Sequence, residues 1–276
     1  MTIAFVLGGG GPLGASEIGM LRALLERNVR PDLILGTSVG AINGAAIAAE
    51  PTEQGLQALA EVWTSLEASG VLNSSLVGRV GTLARSRINL YDNTGLRALL
   101  EERLPNAFEE LQIPFQCVAA GIERAGERWF SSGPLVDALV ASCAVPGMLP
   151  PVEIDGEHFY DGGLVNSIPV DRAVRLGARE IYVLQVGRIE QPLNVPAKLW
   201  EVGLVAFEIA RRHRFVTQMA TLPAGVTAHV LPAGEAVSYT DLKQLRFSDR
   251  ARAEGRADLS YEATIAYLDA LEEEGT

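Results

Sequence analysis

The first candidate for chemistry is the serine of a Gly-x-Ser-x-Gly sequence, Gly36 to Gly40, with Ser38 at its centre. An apolar run at 33–35 precedes it, and a small-residue segment at 41–49 that predicts a helix follows it. A serine on a sharp strand-to-helix turn needs flanking glycines because neighbouring segments pack close to that turn. Its hydroxyl then lies at a helix N-terminus, where partial positive charge stabilises a developing oxyanion. The pattern predicts Ser38 as a nucleophile, and the alternative is a plain turn with a capping serine.

A glycine-rich loop is the second candidate, because Gly9, Gly10 and Gly11 are followed by Gly14 in a GxGxxG sequence. The loop lies between an apolar run at 3–7 and a segment at 15–27 with helical periodicity. Consecutive glycines leave backbone N–H groups unshielded, so that these groups can point at an anion. The anion is either the oxyanion of an acyl-transfer reaction or the pyrophosphate of a dinucleotide.

The position of Asp32 separates these two uses of the glycine loop. A dinucleotide-binding fold places its acidic residue at the end of the second strand, where it reaches the ribose. Asp32 instead begins the second apolar run, and the end of that run carries the Ser38 turn. In a parallel sheet the loop and the turn emerge at the same edge, so an oxyanion hole beside a nucleophile explains both. A nucleotide-binding oxidoreductase stays open as an alternative from another class.

The third candidate is Asp161, which ends a short predicted strand and is followed by Gly162 and Gly163. A carboxylate at a strand end, next to two glycines, can approach another backbone closely, and the alternative is an ordinary Asx turn. The histidines that might serve as a base are His158, His213 and His229. None of them follows a pattern that recommends it. The sequence therefore favours a Ser38–Asp161 dyad over a Ser-His-Asp triad.

Alternating apolar and helical segments predict an α/β scaffold around these candidates. Runs at 115–123 and 127–131 predict a hairpin, which places antiparallel strands beside parallel ones in a mixed sheet. Further predictions are helices at 52–68, 92–104, 134–142, 168–176, about 196–221 and from 260, a hairpin at 152–160, and strands at 180–186 and 227–231. No repeat or linker interrupts the chain, so a single domain over residues 1–276 is expected.

Composition excludes several classes of function. The chain of 276 residues has a formal charge of −11 and a sequence pI near 4.9, which argues against nucleic acid and strongly anionic bilayers as partners. Cys117 and Cys143 lie in apolar contexts without metal-ligand spacing, so neither a disulfide nor a bound metal is expected, and no cofactor is predicted. The N-terminus lacks the features of a signal peptide, and the uncharged stretch 33–49 suits a strand, turn and helix. A cytoplasmic protein is expected.

One segment raises the possibility of lipid contact. From Leu199 to Ala210, including Trp200 and Phe207, the predicted helix is apolar on nearly every side, and residues 211–214 are basic. The favoured interpretation is a core helix with a solvated C-terminal turn, whose cations suit the helix dipole. The alternative is a membrane-surface or substrate-cap helix, which makes the protein peripheral at a membrane. Basic residues from Arg246 to Arg256 are interpreted as a solvated face without a partner.

Taken together, the motifs resemble those of the patatin-like phospholipase family. GGGxxG from Gly9, GTSVGAINGA from Gly36, ASCAVPGMLPPV from Ala141 and DGG from Asp161 occur in family order over residues 1 to about 185. The resemblance implies a three-layer α/β/α sandwich with a mixed, mainly parallel central sheet, to which residues 186–276 add an extension. It also implies Ser38 as nucleophile, Asp161 as proton acceptor, and the amides of Gly9, Gly10 and Gly11 as the oxyanion hole. In the same motifs, the supporting glycines are Gly14, Gly36, Gly40, Gly162 and Gly163.

The implied activity is that of a serine acyl hydrolase, a lipid esterase or phospholipase A acting on acyl esters or phospholipids. One departure from the family pattern is Leu13, where relatives often carry Arg or Lys before the last glycine of the first motif. Loss of that cation bears on head-group preference, and it leaves open a catalytically weak binding or regulatory module. Acyl chain length, regiochemistry and oligomeric state do not follow from the sequence.

Overall fold

The computed structural model of the chain describes residues 2–68, 88–186, 192–234 and 250–274. Their strands form one sheet in the order β5-β6-β3-β2-β1-β7-β8, with β4 pairing to β3. The strands are β1 (Ile3–Leu7), β2 (Leu33–Thr37), β3 (Phe115–Gly121), β4 (Gly126–Phe130), β5 (Val152–Ile154), β6 (Glu157–Asp161), β7 (Glu180–Leu184) and β8 (Thr227–Val230). The helices are α1 (Ala15–Glu26), α2 (Val39–Ala49), α3 (Glu53–Ala68), α4 (Thr94–Arg103), α5 (Leu135–Ser142), α6 (Gly163–Asn166), α7 (Val170–Arg175), α8 (Leu199–Ala220) and α9 (Arg250–Glu274).

Two hydrophobic cores lie on opposite faces of the sheet. Successive side chains of a strand point to opposite faces, so in β1 Phe5 joins one core and Val6 the other. The first core packs α1, α2, α3, α5 and α9 against the sheet, and the second packs α7 and Phe215 of α8. Helices therefore cover both faces of a mixed sheet, and the three-layer α/β/α prediction is confirmed. The single domain over residues 1–276 stays a prediction.

Pairing within the sheet changes direction at β3. Strands β3, β2, β1, β7 and β8 run parallel to one another, whereas β4 and β6 pair antiparallel to β3, and β5 pairs antiparallel to β6. The predicted hairpins at 115–131 and 152–160 are confirmed. The glycine loop follows β1 and the serine turn follows β2, its parallel neighbour, so both lie at the same edge of the sheet.

The prediction for the last helix needs correction. The last helix begins at Arg250 rather than at residue 260, because α9 packs along α1: a Cβ at Gly19 of α1 would lie 1.9 Å from the Ala257 carbonyl oxygen. Local periodicity in the sequence cannot predict this contact between two distant helices. The short helix α6, directly after the Asp161 motif, was not predicted. Arg256 is only 4% exposed, so the solvated-face prediction is wrong there, and residues 246–249 lie outside the described part.

The interpretation of the segment after residue 199 as a core helix is wrong. Val202, Ile209 and Val216 of α8 are 50%, 56% and 56% exposed, whereas Arg211 is 7% exposed. The basic residues lie in the middle of the helix, paired with acids, instead of at a solvated end. The side chain of Trp200 lies outside the described part. Among the described residues, every helix is too short or too polar to cross a membrane.

Candidate active site

Ser38 lies on a sharp turn between β2 and α2, where its backbone has φ 55° and ψ −127°. This conformation is strained for a residue with a Cβ and costs about 1–3 kcal/mol, so the surrounding structure must hold it. The flanking glycines allow that packing. A Cβ at Gly36 would lie 2.5 Å from Ala41 Cα, and one at Gly40 would lie 2.6 Å from the Gly8 carbonyl oxygen. The structure therefore confirms the predicted order of strand, serine turn and helix.

Strand register explains how Ser38 meets Asp161 across 123 residues of sequence. Strand β2 runs parallel to β3 and ends where Thr37 pairs with Val118. Strand β6 runs antiparallel to β3 and ends where Asp161 pairs with Ala119, the next residue. The carboxyl ends of β2 and β6 therefore face each other over the middle of β3. Ser38 Oγ donates a hydrogen bond to Asp161 Oδ2 at 2.6 Å.

Asp161 is a buried carboxylate with few partners. Burial raises its pKa from the ordinary 3.8 to about 6, against hydrogen bonds from Ser38 and from the Gly163 N–H that lower it. The Gly163 N–H donates to Oδ1 at 2.7 Å, so each carboxylate oxygen has a defined partner. A carboxylate with a pKa near 6 is a stronger base than an exposed aspartate and remains mostly ionised near neutral pH.

Ser142, the last residue of α5, connects the two catalytic candidates. Its hydroxyl donates to the Val118 carbonyl oxygen at 2.7 Å and accepts the Ser38 N–H at 2.9 Å. Its own carbonyl oxygen accepts the Gly162 N–H at 3.2 Å. Ser142 is fully buried, so no water replaces these contacts. One residue thus holds the backbone beside the candidate nucleophile and the backbone beside the candidate base.

The glycine loop lies against Ser38, but its amides differ in availability. The Gly8 N–H donates to the Leu184 carbonyl oxygen at 2.9 Å, and the Gly9 N–H to the Ser167 carbonyl oxygen at 3.0 Å. The Gly9 amide is therefore already used within the protein. Gly10 and Gly11 follow it at the start of a short 3-10 turn, Gly11–Gly14, and are the remaining candidates for an oxyanion hole.

Close contacts explain why the loop consists of glycines. A Cβ at Gly9 would lie 3.3 Å from Ser38 Cβ, and one at Gly10 would lie 1.9 Å from Val186 Cγ2. A Cβ at Gly14 would lie 2.7 Å from the side chain of Val39, the residue after the candidate nucleophile. Side chains at Gly9 and Gly14 would push the loop away from the serine turn, and a side chain at Gly10 would clash with Val186.

The two glycines after Asp161 are explained in the same way. A Cβ at Gly162 would lie 2.1 Å from the Val118 carbonyl oxygen, which is backbone and cannot swing aside. A Cβ at Gly163 would lie 2.9 Å from Asp161 Oδ1 and 3.1 Å from Phe207 Cζ. The DGG sequence therefore lets the strand end approach β3 and lets the Gly163 amide reach the carboxylate.

A buried polar network supports the serine turn from behind. The Asn43 amide of α2 donates to Glu17 Oε2 at 2.7 Å and to the Gly14 carbonyl oxygen at 3.0 Å, and it accepts the Trp63 indole N–H at 2.9 Å. Glu17 is fully buried, and this burial holds its pKa well above its ordinary value despite the bond from Asn43. The network ties the helix after the glycine loop to the helix after Ser38.

The rejected side chains lie elsewhere or are chemically unsuited. His158 pairs with Glu123 at 2.7 Å, and His229 stacks on Tyr182, while His213 is exposed on α8. Cys143 is a free thiol beside the dyad. Burial, reinforced by the neighbouring Asp161 carboxylate, raises the pKa of this thiol well above its ordinary value, so it is a poor competing nucleophile.

Asp32 lies at the far edge of the sheet from the glycine loop, since it accepts the Ile3 N–H at 2.8 Å at the start of β1. That position does not suit a ribose ligand beside the loop. Among the described residues, no group of three or more His, Cys, Asp or Glu side chains is arranged to hold a metal ion.

Sequence reasoning missed Ser142 and Glu17. Ser142 lies inside the ASCAVPGMLPPV motif, but nothing local distinguishes its hydroxyl from a helix-end serine, since its partners are 24 and 104 residues away. Glu17 offered a signal, because it is a carboxylate at the third position of a helix, on the same face as the buried Leu21 and Leu24. A charged residue on a buried helix face indicates a polar network or a site.

Comparisons with known proteins agree with these motifs. The family model described as patatin-like phospholipase matches residues 5–174. A patatin-like phospholipase domain-containing protein of Caenorhabditis elegans, ZK370.4, is 35% identical over 196 residues, which is 69% of this chain and 14% of that protein. Human patatin-like phospholipase domain-containing protein 6 is 33% identical over 188 residues, 67% of this chain and 13% of that protein.

A lysophospholipase, nte1 of Aspergillus terreus, is 28% identical over 203 residues, 71% of this chain and 12% of that protein. The chain thus spans about a seventh or less of the length of these curated relatives. Among solved structures, VipD from Legionella pneumophila matches with a TM-score of 0.45 and 15% identity, over 98% of this chain and 66% of that chain.

Proposed function

This chain belongs to the patatin-like phospholipase family, and on that premise we propose that it hydrolyses acyl esters of lipids through a Ser38–Asp161 dyad. The observation that carries the proposal is the 2.6 Å hydrogen bond from Ser38 Oγ to Asp161 Oδ2. The pKa of Asp161, raised to about 6 by burial, supports its role as a base near neutral pH. Relatives named as phospholipases and a lysophospholipase support phospholipids and lysophospholipids as the substrate class.

In the first half-reaction, Ser38 Oγ attacks the ester carbonyl carbon while Asp161 Oδ2 accepts the hydroxyl proton. The carbonyl electron pair moves onto oxygen, and the N–H groups of Gly10 and Gly11 stabilise that oxyanion. We assign Gly9 the role of fixing the loop, because its N–H is bonded to Ser167. Collapse of the tetrahedral intermediate breaks the ester bond, and the leaving alkoxide takes the proton from Asp161, which leaves an acyl-Ser38 ester.

In the second half-reaction, a water molecule replaces the alcohol. Asp161 accepts a proton from this water as its oxygen attacks the acyl carbon. The second tetrahedral intermediate then expels Ser38 Oγ, which recovers its proton from the carboxylate. The products are the free acid and the original enzyme, so the cycle needs neither a metal nor an organic cofactor.

Preorganisation distinguishes this arrangement from a chance contact. The strained Ser38 backbone places Oγ within reach of the carboxylate before any substrate binds, and Ser142 fixes both backbones. A dyad held in a buried site avoids reorganisation at the moment of reaction. Transient contact with a lipid surface is part of the proposal, and the exposed Phe207 of α8 beside Gly163 supports it.

The test is covalent labelling by a fluorophosphonate probe, combined with turnover of a short-chain p-nitrophenyl ester. We expect Ser38→Ala to abolish labelling, and both Ser38→Ala and Asp161→Asn to reduce turnover by at least about 1,000-fold. The isosteric Asp161→Asn change keeps the shape of the site and removes only the base. Absence of labelling and turnover in the wild-type protein would refute the hydrolase and favour a binding or regulatory module, the alternative that Leu13 suggested. Saturable NAD binding without labelling would favour the nucleotide-binding alternative.

A further inference from the structure

Helix α8 exposes an apolar stripe to solvent. Val202, Ile209 and Val216 are 50%, 56% and 56% exposed and follow one another at seven-residue spacing, so they share one face of the helix. Phe207, 37% exposed, lies at the other margin of the exposed side, roughly 150° around the helix from this stripe. We call these four residues the apolar face of α8. Such an arrangement is unusual for a surface helix, which normally buries its apolar side chains and exposes its charged ones.

From Glu201 to Ala220, the charged side chains of the same helix are bonded to partners within the protein. Glu208 accepts hydrogen bonds from Arg211 at 2.9 Å and 3.0 Å and from Arg212 at 3.2 Å, and all three side chains are at most 12% exposed. Arg214 pairs with Glu127 and with Asp171. At the helix start, Glu201 is 6% exposed and accepts two backbone N–H groups.

From Glu201 to Ala220, the part of α8 whose side chains are described, every charged residue is therefore buried or half-buried. The residues classed as exposed on this segment include no Asp, Glu, Lys or Arg. The most exposed charged side chain is that of Arg214, at 38%, and it is paired with two acids. In a protein with a formal charge of −11, this leaves one uncharged surface strip about 20 Å long.

The apolar face of α8 leads to the candidate active site. Phe207 lies against Gly163, where a Cβ would be 3.1 Å from the Phe207 ring, and Gly163 donates its N–H to Asp161. Leu164, the next residue, is 47% exposed on α6, which packs against α8. Phe207 and Leu164 thus place exposed apolar side chains beside the strand end that carries the base.

We propose that the apolar face of α8 docks on the surface of a zwitterionic lipid aggregate, with the helix lying in the interfacial plane. The proposal rests on the proposed hydrolase function and adds that the enzyme binds its lipid substrate at the surface of an aggregate. Docking here brings lipid esters to the edge of the sheet where Ser38 and Asp161 lie. Apolar side chains leave water for the acyl region, while the charged side chains keep their partners inside the protein.

Size and charge favour lipid over a protein partner. The four exposed side chains offer a few hundred Å², less than the roughly 800 Å² per partner that a stable protein interface buries. A lipid surface requires no matching shape and accepts a small insertion. An uncharged strip on an acidic protein also matches zwitterionic head groups, whereas anionic lipids would repel the rest of the surface.

The experiment uses the full chain and vesicles of phosphatidylcholine, read by co-sedimentation. The test variant is Ile209→Asp with Val216→Asp. The matched control is Ile122→Asp with Leu259→Asp, which adds the same charge at residues 44% and 45% exposed, on the end of the β3–β4 hairpin and on α9. We expect the vesicle partition of the test variant to fall at least tenfold and that of the control to stay within twofold of wild type. Binding of the wild type should persist in 0.5 M NaCl, roughly a Debye length of 4 Å, because the contact is apolar.

Turnover separates this proposal from the hydrolase proposal. Hydrolysis of a soluble p-nitrophenyl ester reports the catalytic centre, and hydrolysis of phosphatidylcholine in vesicles reports docking followed by catalysis. Vesicle binding without turnover of either substrate would refute the hydrolase and leave the docking surface standing. Equal partition of wild type and test variant would overturn the docking surface. So would light scattering that finds a wild-type dimer absent in the test variant, since a second copy would then cover the face.

Discussion

Replacing Ser142 with alanine tests how the candidate nucleophile and base are held together. The substitution removes a hydroxyl that bonds the Ser38 N–H at 2.9 Å and the Val118 carbonyl oxygen at 2.7 Å, in a fully buried position. Each group left buried without a partner costs about 1–3 kcal/mol, so the rigid variant would lose about 2–6 kcal/mol. The Ser38 backbone stores about 1–3 kcal/mol of strain, which is released when the turn relaxes. Relaxation is therefore favoured, and it moves Ser38 Oγ away from Asp161.

The kinetic consequence follows from the geometry. A displacement of about 1 Å at a reacting atom costs on the order of 100-fold in rate, so we expect Ser142→Ala to lower kcat by about that factor with little change in KM. The Ser38 hydrogen bond lowers the pKa of Asp161, so a longer bond raises it. The acidic midpoint of the profile of kcat/KM against pH should accordingly move upward from about 6.

The assay measures kcat, KM and the pH profile with a short p-nitrophenyl ester, the rate of fluorophosphonate labelling, and the thermal midpoint Tm. Ser260→Ala is the matched control, because Ser260 is also fully buried and its hydroxyl donates to the Ser16 carbonyl oxygen at 2.7 Å, away from the dyad. Both variants should lose stability, and only Ser142→Ala should shift the pH midpoint. If the two variants differ from wild type in Tm alone, Ser142 supports the fold and does not position the dyad.

Further predictions concern the base, the loop and the buried network. Activity should rise from pH 4 to 8 with a midpoint near the Asp161 pKa of about 6, and a flat profile would contradict an aspartate base. In urea unfolding above pH 6, Asp161→Asn should be more stable than wild type by up to about 3 kcal/mol, because the raised pKa of Asp161 means that its ionisation destabilises the folded state. This difference in stability should vanish below pH 3.8, where Asp161 is protonated in both states. Its persistence there would refute ionisation as the cause. Gly10→Ala should lower kcat about 100-fold, because the alanine Cβ would clash with Val186. The double variant Gly10→Ala with Val186→Ala should regain part of the lost kcat. A double variant with the same low kcat would exclude that clash as the cause. Glu17→Gln should keep the Asn43 bond and stay near wild-type stability, whereas Glu17→Ala should lose about 1–3 kcal/mol by thermal unfolding; equal losses would show that the bond does not matter.

Local sequence determined the elements that carry the candidate site. Apolar runs ended by glycine and followed by helical periods predicted β1, β2 and their helices, because strand and turn propensities act over a few residues. The glycines around Ser38 indicated close packing without indicating the partner. The lack of a suitable histidine and the family-like motifs together supplied the pairing of Ser38 with Asp161, which periodicity alone could not give.

Only the tertiary structure decided which groups are free to act. The Gly9 amide is bonded to Ser167, which lies 158 residues away, so availability of the loop amides depends on a segment far along the chain. The raised pKa of Asp161 comes from burial, which the sequence around DGG does not encode. The orientation of α8 is the clearest case. Its residues are apolar on most sides, so periodicity could not select a buried face, and the acids Glu127 and Asp171 that draw Arg214 inward lie on other elements. Strand register, burial and ion pairs arise between distant segments, and they exist only once the chain has folded.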